Sequence, residues 1–101
     1  MDNETIQLEL VTHPRYIDYT IWKEDNQYAY NLFKKLSLAL VNKQRRFGMW
    51  LVANRIRWSY FFKYDAEFKI CNDYIALITR DLMLEIPELK KYCKIKRLGE
   101  R

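Results

Sequence analysis

The sequence predicts an α+β domain: three helices with short strands in a winged-helix-like arrangement, preceded by an N-terminal strand. Three observations lead there. The 101 residues include only two Gly and two Pro, too few turn formers for an all-β fold. Three stretches carry apolar residues at helical spacing, and the two ends of the chain alternate as strands do. The length suits one domain, residues 1–101, with 1–24 as an extended segment and 25–97 as the helical core.

The elements follow in order. "TIQLEL", 5–10, sets Ile6, Leu8 and Leu10 against Thr5, Gln7 and Glu9, the period of a half-buried strand. The chain turns at His13-Pro14, and extended structure resumes through Tyr16, Ile17 and Tyr19. Asp25 or Asn26 caps a first helix whose stripe is Ala29, Leu32, Phe33, Leu36 and Leu40. "NKQRR", 42–46, is a basic loop. A second helix buries Met49, Val52, Ala53, Ile56 and Tyr60. "FKI", 68–70, is a brief strand, and Asn72 or Asp73 caps a third helix. That helix buries Ile75, Ile78 and Leu82, turns Ala76, Thr79, Arg80 and Met83 away, and ends at Pro87. "KKYCKIKRL" closes the fold as a strand. A strand on each side of a third helix is the skeleton of a winged helix, whose third helix enters the major groove.

Composition excludes several classes. Half the residues are apolar and 16% are aromatic, which supports a core and argues against disorder. No apolar run reaches the ~18 residues of a membrane span, and no secretory leader precedes the domain, so the expectation is a cytoplasmic protein. Cys71 and Cys93 lie far apart without CxxC spacing, and with His13 alone they form no zinc site; reduced thiols are expected, a disulfide being the alternative. No metal or cofactor is expected. Paired carboxylates, a Gly-rich phosphate loop and a nucleophile constellation are all missing, which points away from an enzyme.

Charge is the strongest signal. The net charge is +5, yet residues 1–25 hold six acids against two bases. Residues 26–64 hold eight bases and no acid. Within that span, "RFGMWLVANRIRWSYFFKY" interleaves Arg55 and Arg57 with Trp50 and Trp58. Such a field attracts polyanions or an acidic protein surface. The first reading is therefore a nucleic-acid binder, duplex DNA favoured. Lys43, Arg45, Arg46, Arg55, Lys94, Lys96 and Arg97 would contact phosphates, and Asn72, Thr79 and Arg80 would reach base edges. The second reading is a protein-binding inhibitor anchored by Tyr16, Tyr19 and Trp22. Its N-terminal strand edge could also pair with a second copy.

"FGMWLVANRIRW", "FKICNDYIALITRDLM", "PEL" and "YCKIKRL" in that order resemble a family of small uncharacterised proteins of phages and other mobile elements. Its pattern runs xGI…iRW, FKxNNNY, ARLLM, PEL, FFExR. The resemblance spans about residues 28–97, through Phe47, Gly48, Ile56, Arg57, Trp58, Phe68, Lys69, Ile70, Asn72, Tyr74, Arg80, Leu82, Met83, Pro87, Glu88, Leu89 and Ile95. Cys71 and Asp73 replace Asn, Asn54 replaces Glu, and Lys94 stands where an acid is usual. The resemblance implies a bacterial or archaeal host cell and, for the second reading, a host defence protein such as a CRISPR effector as the target. The shared Arg57-Trp58 pair is expected to serve the fold, with Arg57 held by a partner from another segment.

Overall fold

The N-terminal segment is helical rather than extended. In a computed structural model, which describes residues 2–94, α1 spans Asn3–Val11 and α2 spans Tyr16–Asp25. The Asp2 carboxylate accepts the Thr5 backbone N–H at 2.7 Å, which satisfies one of the free donors at the start of α1. Ile6 and Leu10, four apart, share the buried face, while Leu8 is 61% exposed. Alternation and a 3.6-residue period agree at Ile6 and Leu10 and differ only at Leu8. So short a run does not separate the two. The predicted N-terminal strand is therefore absent, and with it the edge through which a second copy would pair.

α3 spans Gln27–Asn42, separated from α2 by Asn26 alone. Asn26 does not cap α3 with its side chain; its Nδ2 donates to the Trp22 carbonyl and closes α2 instead. The buried face of α3 is Ala29, Tyr30, Phe33, Ser37 and Val41, rotated from the expected stripe, so Leu32, Leu36 and Leu40 are only half-buried. Gln44 then takes positive φ, 55°, and the Arg45 N–H donates back to the Leu40 carbonyl. This turn leads into β1, Phe47–Gly48, and α4, Met49–Tyr64. α4 buries Met49, Val52, Ala53 and Ile56, with Tyr60 half-buried, which is the face its sequence predicts. It ends at Asp65, a second residue in the left-handed region at φ 48°.

Residues 66–71 form no strand where "FKI" predicts one, although Ile70 is buried. α5, Asn72–Glu85, begins after Cys71, and neither Asn72 nor Asp73 occupies its N-cap position. It is the central helix, packed by α1, α2, α4 and the short α6, Leu89–Tyr92. Enclosure on so many sides explains why Thr79, Arg80 and Met83 are buried together with Ile75, Ile78 and Leu82. Beyond α6 comes β2, Cys93–Lys94, which pairs in parallel with β1: Phe47 with Cys93 and Gly48 with Lys94.

This is a mostly helical domain of six helices and one two-stranded parallel sheet among the described residues, which overturns the winged-helix expectation. A wing is an antiparallel hairpin beside the recognition helix. Here Cys93–Lys94 instead joins the segment leading into α4. The rest of the predicted closing strand, Ile95 to Leu98, lies outside the described residues. No described helix is long and apolar enough to cross a membrane.

Candidate functional site

The cations divide into two groups. One group is used by the fold. Arg80 is 1% exposed; its Nε donates to Glu9 Oε2 at 2.9 Å and its Nη1 to the Ala76 carbonyl at 3.0 Å. Lys23 reaches Asp81 at 2.9 Å and lies over the Tyr30 ring, and Lys34 reaches Glu85 at 3.2 Å. Arg15 lies over the Tyr74 ring, 3.4 Å from Cys71 Sγ and 3.5 Å from Asp73. Tyr19 and Tyr30 donate to Asp81 and Glu85, and burial, then the neighbouring carboxylates, raises both phenols above their ordinary range.

The other group is unspent. Lys43, Arg45 and Arg46 are exposed in the turn after α3, and Arg55, Arg57 and Lys63 are exposed on α4. None of the six pairs with an acid among the described residues. The β1–β2 register places Lys94, also exposed, beside Gly48 and two positions from Arg46. The turn cations and Lys94 thus collect at the N-terminal end of α4, where the helix dipole adds partial positive charge.

Exposed aromatic side chains share the outward face of α4 with Leu51 and Asn54. Trp58 and Phe62, one turn apart, stack with centroids 5.3 Å apart and planes 14° apart. They are 58% and 74% exposed. Phe61 meets Phe62 edge-on at 5.4 Å, and the Arg57 guanidinium lies over the Trp50 ring at 5.7 Å. A cleft of about 420 Å³ opens beside this face, lined by Arg57, Trp58, Phe61, Phe68, Glu67 and Lys69, with Ala66 between them. Arg57, resting on its own helix with no hydrogen bond or ion pair to another segment among the described residues, and Trp58, 58% exposed, are surface side chains, which corrects the expectation that the pair serves the fold.

Of the residues expected to contact phosphate, Lys43, Arg45, Arg46, Arg55 and Lys94 are all exposed, while Lys96 and Arg97 lie outside the described residues. Of those expected to read bases, Asn72 is exposed, but Thr79 is buried and donates its hydroxyl to the Ile75 carbonyl. With Arg80 also buried under α1, neither can reach a base edge. Of the expected protein-interface anchors, Tyr19 is fully buried, and Tyr16 and Trp22 are half-buried within the domain's own packing. Sequence reasoning missed Phe61 as a surface residue; its position away from Val52, Ala53 and Ile56 on the α4 wheel is the available signal. Among the described residues no three His, Cys, Asp or Glu side chains gather as a metal-binding set, and Cys71 and Cys93 are free thiols. Comparison with protein-family models, with curated proteins and with solved structures gives no match.

Proposed function

We propose that this chain is a non-enzymatic nucleic-acid-binding domain that uses the outward face of α4 and the basic turn before it. The observation that supports this is the pairing, on one face, of cations that have no acid partner among the described residues with stacked, exposed aromatic rings. Cations neutralise phosphates and release counterions, while aromatic faces offer bases a stacking surface. Arg45, Arg46, Arg55 and Lys94 supply the phosphate contacts in this reading. A groove-reading helix α5 is no part of it, because Thr79 and Arg80 are buried.

The test is fluorescence anisotropy of labelled oligonucleotides across a salt series, with the parent and the Arg45→Ala/Arg46→Ala variant. Binding should weaken steeply with salt, and the double variant should shallow the log–log slope by up to about two. A variant that binds as the parent does removes the basic turn from the interface.

A second reading, an inhibitor that docks on a host defence protein, draws on the same face: Trp50, Leu51, Trp58, Phe61 and Phe62 form an exposed apolar patch of the kind that seats partners. It takes first place if no nucleic acid binds at low salt. The resemblance to phage and mobile-element proteins supplies the setting for either reading, the cytoplasm of a bacterial or archaeal host.

A further inference from the structure

The rings on α4 say something narrower than "nucleic acid". We infer that the ligand is single-stranded, with unpaired bases stacking on the Trp58–Phe62 pair and entering the cleft beside Phe61, while Arg55 and Arg57 hold the phosphates. The inference rests on the nucleic-acid reading above and specifies its substrate class.

In a duplex the faces of the bases are covered by their neighbours, and a protein meets base edges and phosphates. Exposed aromatic planes then gain little, and a helix pressed into a groove would set Trp58 and Phe62 against charged backbone. An unpaired strand offers the opposite surface. Each base has two free π-faces, and stacking on an aromatic side chain is tolerant of sequence.

The geometry suits that ligand. The ring planes of Trp58 and Phe62 are nearly parallel, 14° apart, and both rings are largely exposed, so the pair presents a stack that a base can extend. The aromatic cluster is Trp58, Phe61 and Phe62, and Trp50 lies about 12 Å back along the helix, at ~1.5 Å per residue, beyond the exposed Leu51 and Asn54; together they span a length that suits a short run of nucleotides. Arg55 and Arg57, both exposed, lie on either side of Trp58 around the helix, placing positive charge where a backbone would follow the stacked bases. The cleft wall is aromatic at Trp58, Phe61 and Phe68 and cationic at Arg57 and Lys69. Its acid, Glu67, is partnered by Lys69 at 3.8 Å.

The experiment compares three probes of equal length in low and moderate salt: a single-stranded oligonucleotide, the same sequence as a duplex, and an abasic single strand. The expected result is that the single strand binds at least about tenfold tighter than either other probe. Trp58→Ala and Phe62→Ala should each cost about 5- to 150-fold in single-strand affinity, the range of one lost stack, with the salt slope unchanged and the abasic probe unaffected. Trp58→Phe should restore most of the binding. Both positions are exposed, so circular dichroism should show a parent-like fold. Equal or tighter binding of the duplex overturns the single-strand inference and leaves the nucleic-acid reading standing. Equal binding of the abasic strand likewise overturns it, because charge alone then suffices. Binding of no probe at low salt overturns both and favours a protein partner.

Discussion

Arg80 on α5 is joined to Glu9 on α1 by a 2.9 Å contact between Nε and Oε2 across 71 positions of sequence. The guanidinium is buried beneath α1, and its Nη1 also satisfies the Ala76 carbonyl one turn back on its own helix. This pair fixes where the N-terminal helix lies. A charged group removed from water needs its polar contacts in place, so sliding α1 along α5 would break the Arg80–Glu9 contact at a cost.

Breaking that pair should be costly. Arg80→Ala is expected to destabilise the domain by about 3–5 kcal/mol, read from the urea midpoint. Glu9→Ala should cost a comparable amount, since it leaves the buried Arg80 guanidinium without this carboxylate, whereas Glu9 left behind in Arg80→Ala is partly exposed and can be hydrated. The Glu9→Ala/Arg80→Ala double variant should cost clearly less than the two single changes added together. Strict additivity would show that the pair does not couple the two helices.

The second prediction concerns the apolar centre. Ile56 on α4 and Leu82 on α5 are both fully buried. Truncation of either to Ala should cost roughly 2–5 kcal/mol, the loss of burial plus the cavity left behind. A loss below about half a kcal/mol at either position would mean that the helix faces its neighbours differently from the packing described.

These two positions also show what the sequence makes legible. Helices α3, α4 and α5 carry long apolar stripes, and the α4 face is readable almost residue by residue, because among the described residues its opposite side is exposed. α5 is enclosed from several directions, so Thr79 and Arg80, polar residues that the sequence places outward, are buried, Arg80 against α1. α1 was itself unreadable as a helix. Its signal reduces to Ile6 and Leu10, which a strand would share, and its defining contact lies at Arg80, near the other end of the chain. The sheet failed for a related reason. Two residues at Cys93–Lys94 extend because Phe47–Gly48 is there to pair with, and no local pattern encodes a partner that distant. The candidate site was legible in its charges, which composition exposes directly, and less so in its rings, which a core would use equally well.

The third prediction separates the surface arginine from the buried one. Arg57 is exposed and rests over Trp50 on its own helix. Arg57→Ala should therefore change stability by no more than about 0.5–1 kcal/mol, the worth of an exposed cation–π contact. The same change should weaken oligonucleotide binding. A stability loss comparable to that of Arg80→Ala would place Arg57 in the fold rather than at the interface.

The fourth prediction is a pH dependence with a definite sign. Tyr19 and Tyr30 are raised above the ordinary tyrosine value of 10.0, both mainly by burial and then by Asp81. Cys93, also buried, has its thiol pushed up from 9.0 to about 12. In each case the folded state holds the proton more tightly than the unfolded chain does. Below the unfolded values, near pH 9 and 10, both states are protonated and the contribution to stability is complete. As pH rises past them, the unfolded chain ionises first and is favoured, so stability must fall. Thermal melts from pH 8 to pH 11.5 should show a declining midpoint beginning near pH 9. Tyr19→Phe should lower stability at pH 8, because Asp81 loses the phenol's hydrogen bond and keeps only Lys23, yet it should flatten the alkaline decline. A Tyr19→Phe variant whose midpoint falls as steeply as the parent's would remove Tyr19 as a source of the alkaline loss and leave Cys93 and Tyr30 to account for it. Tyr30→Phe and Cys93→Ala would then decide between those two.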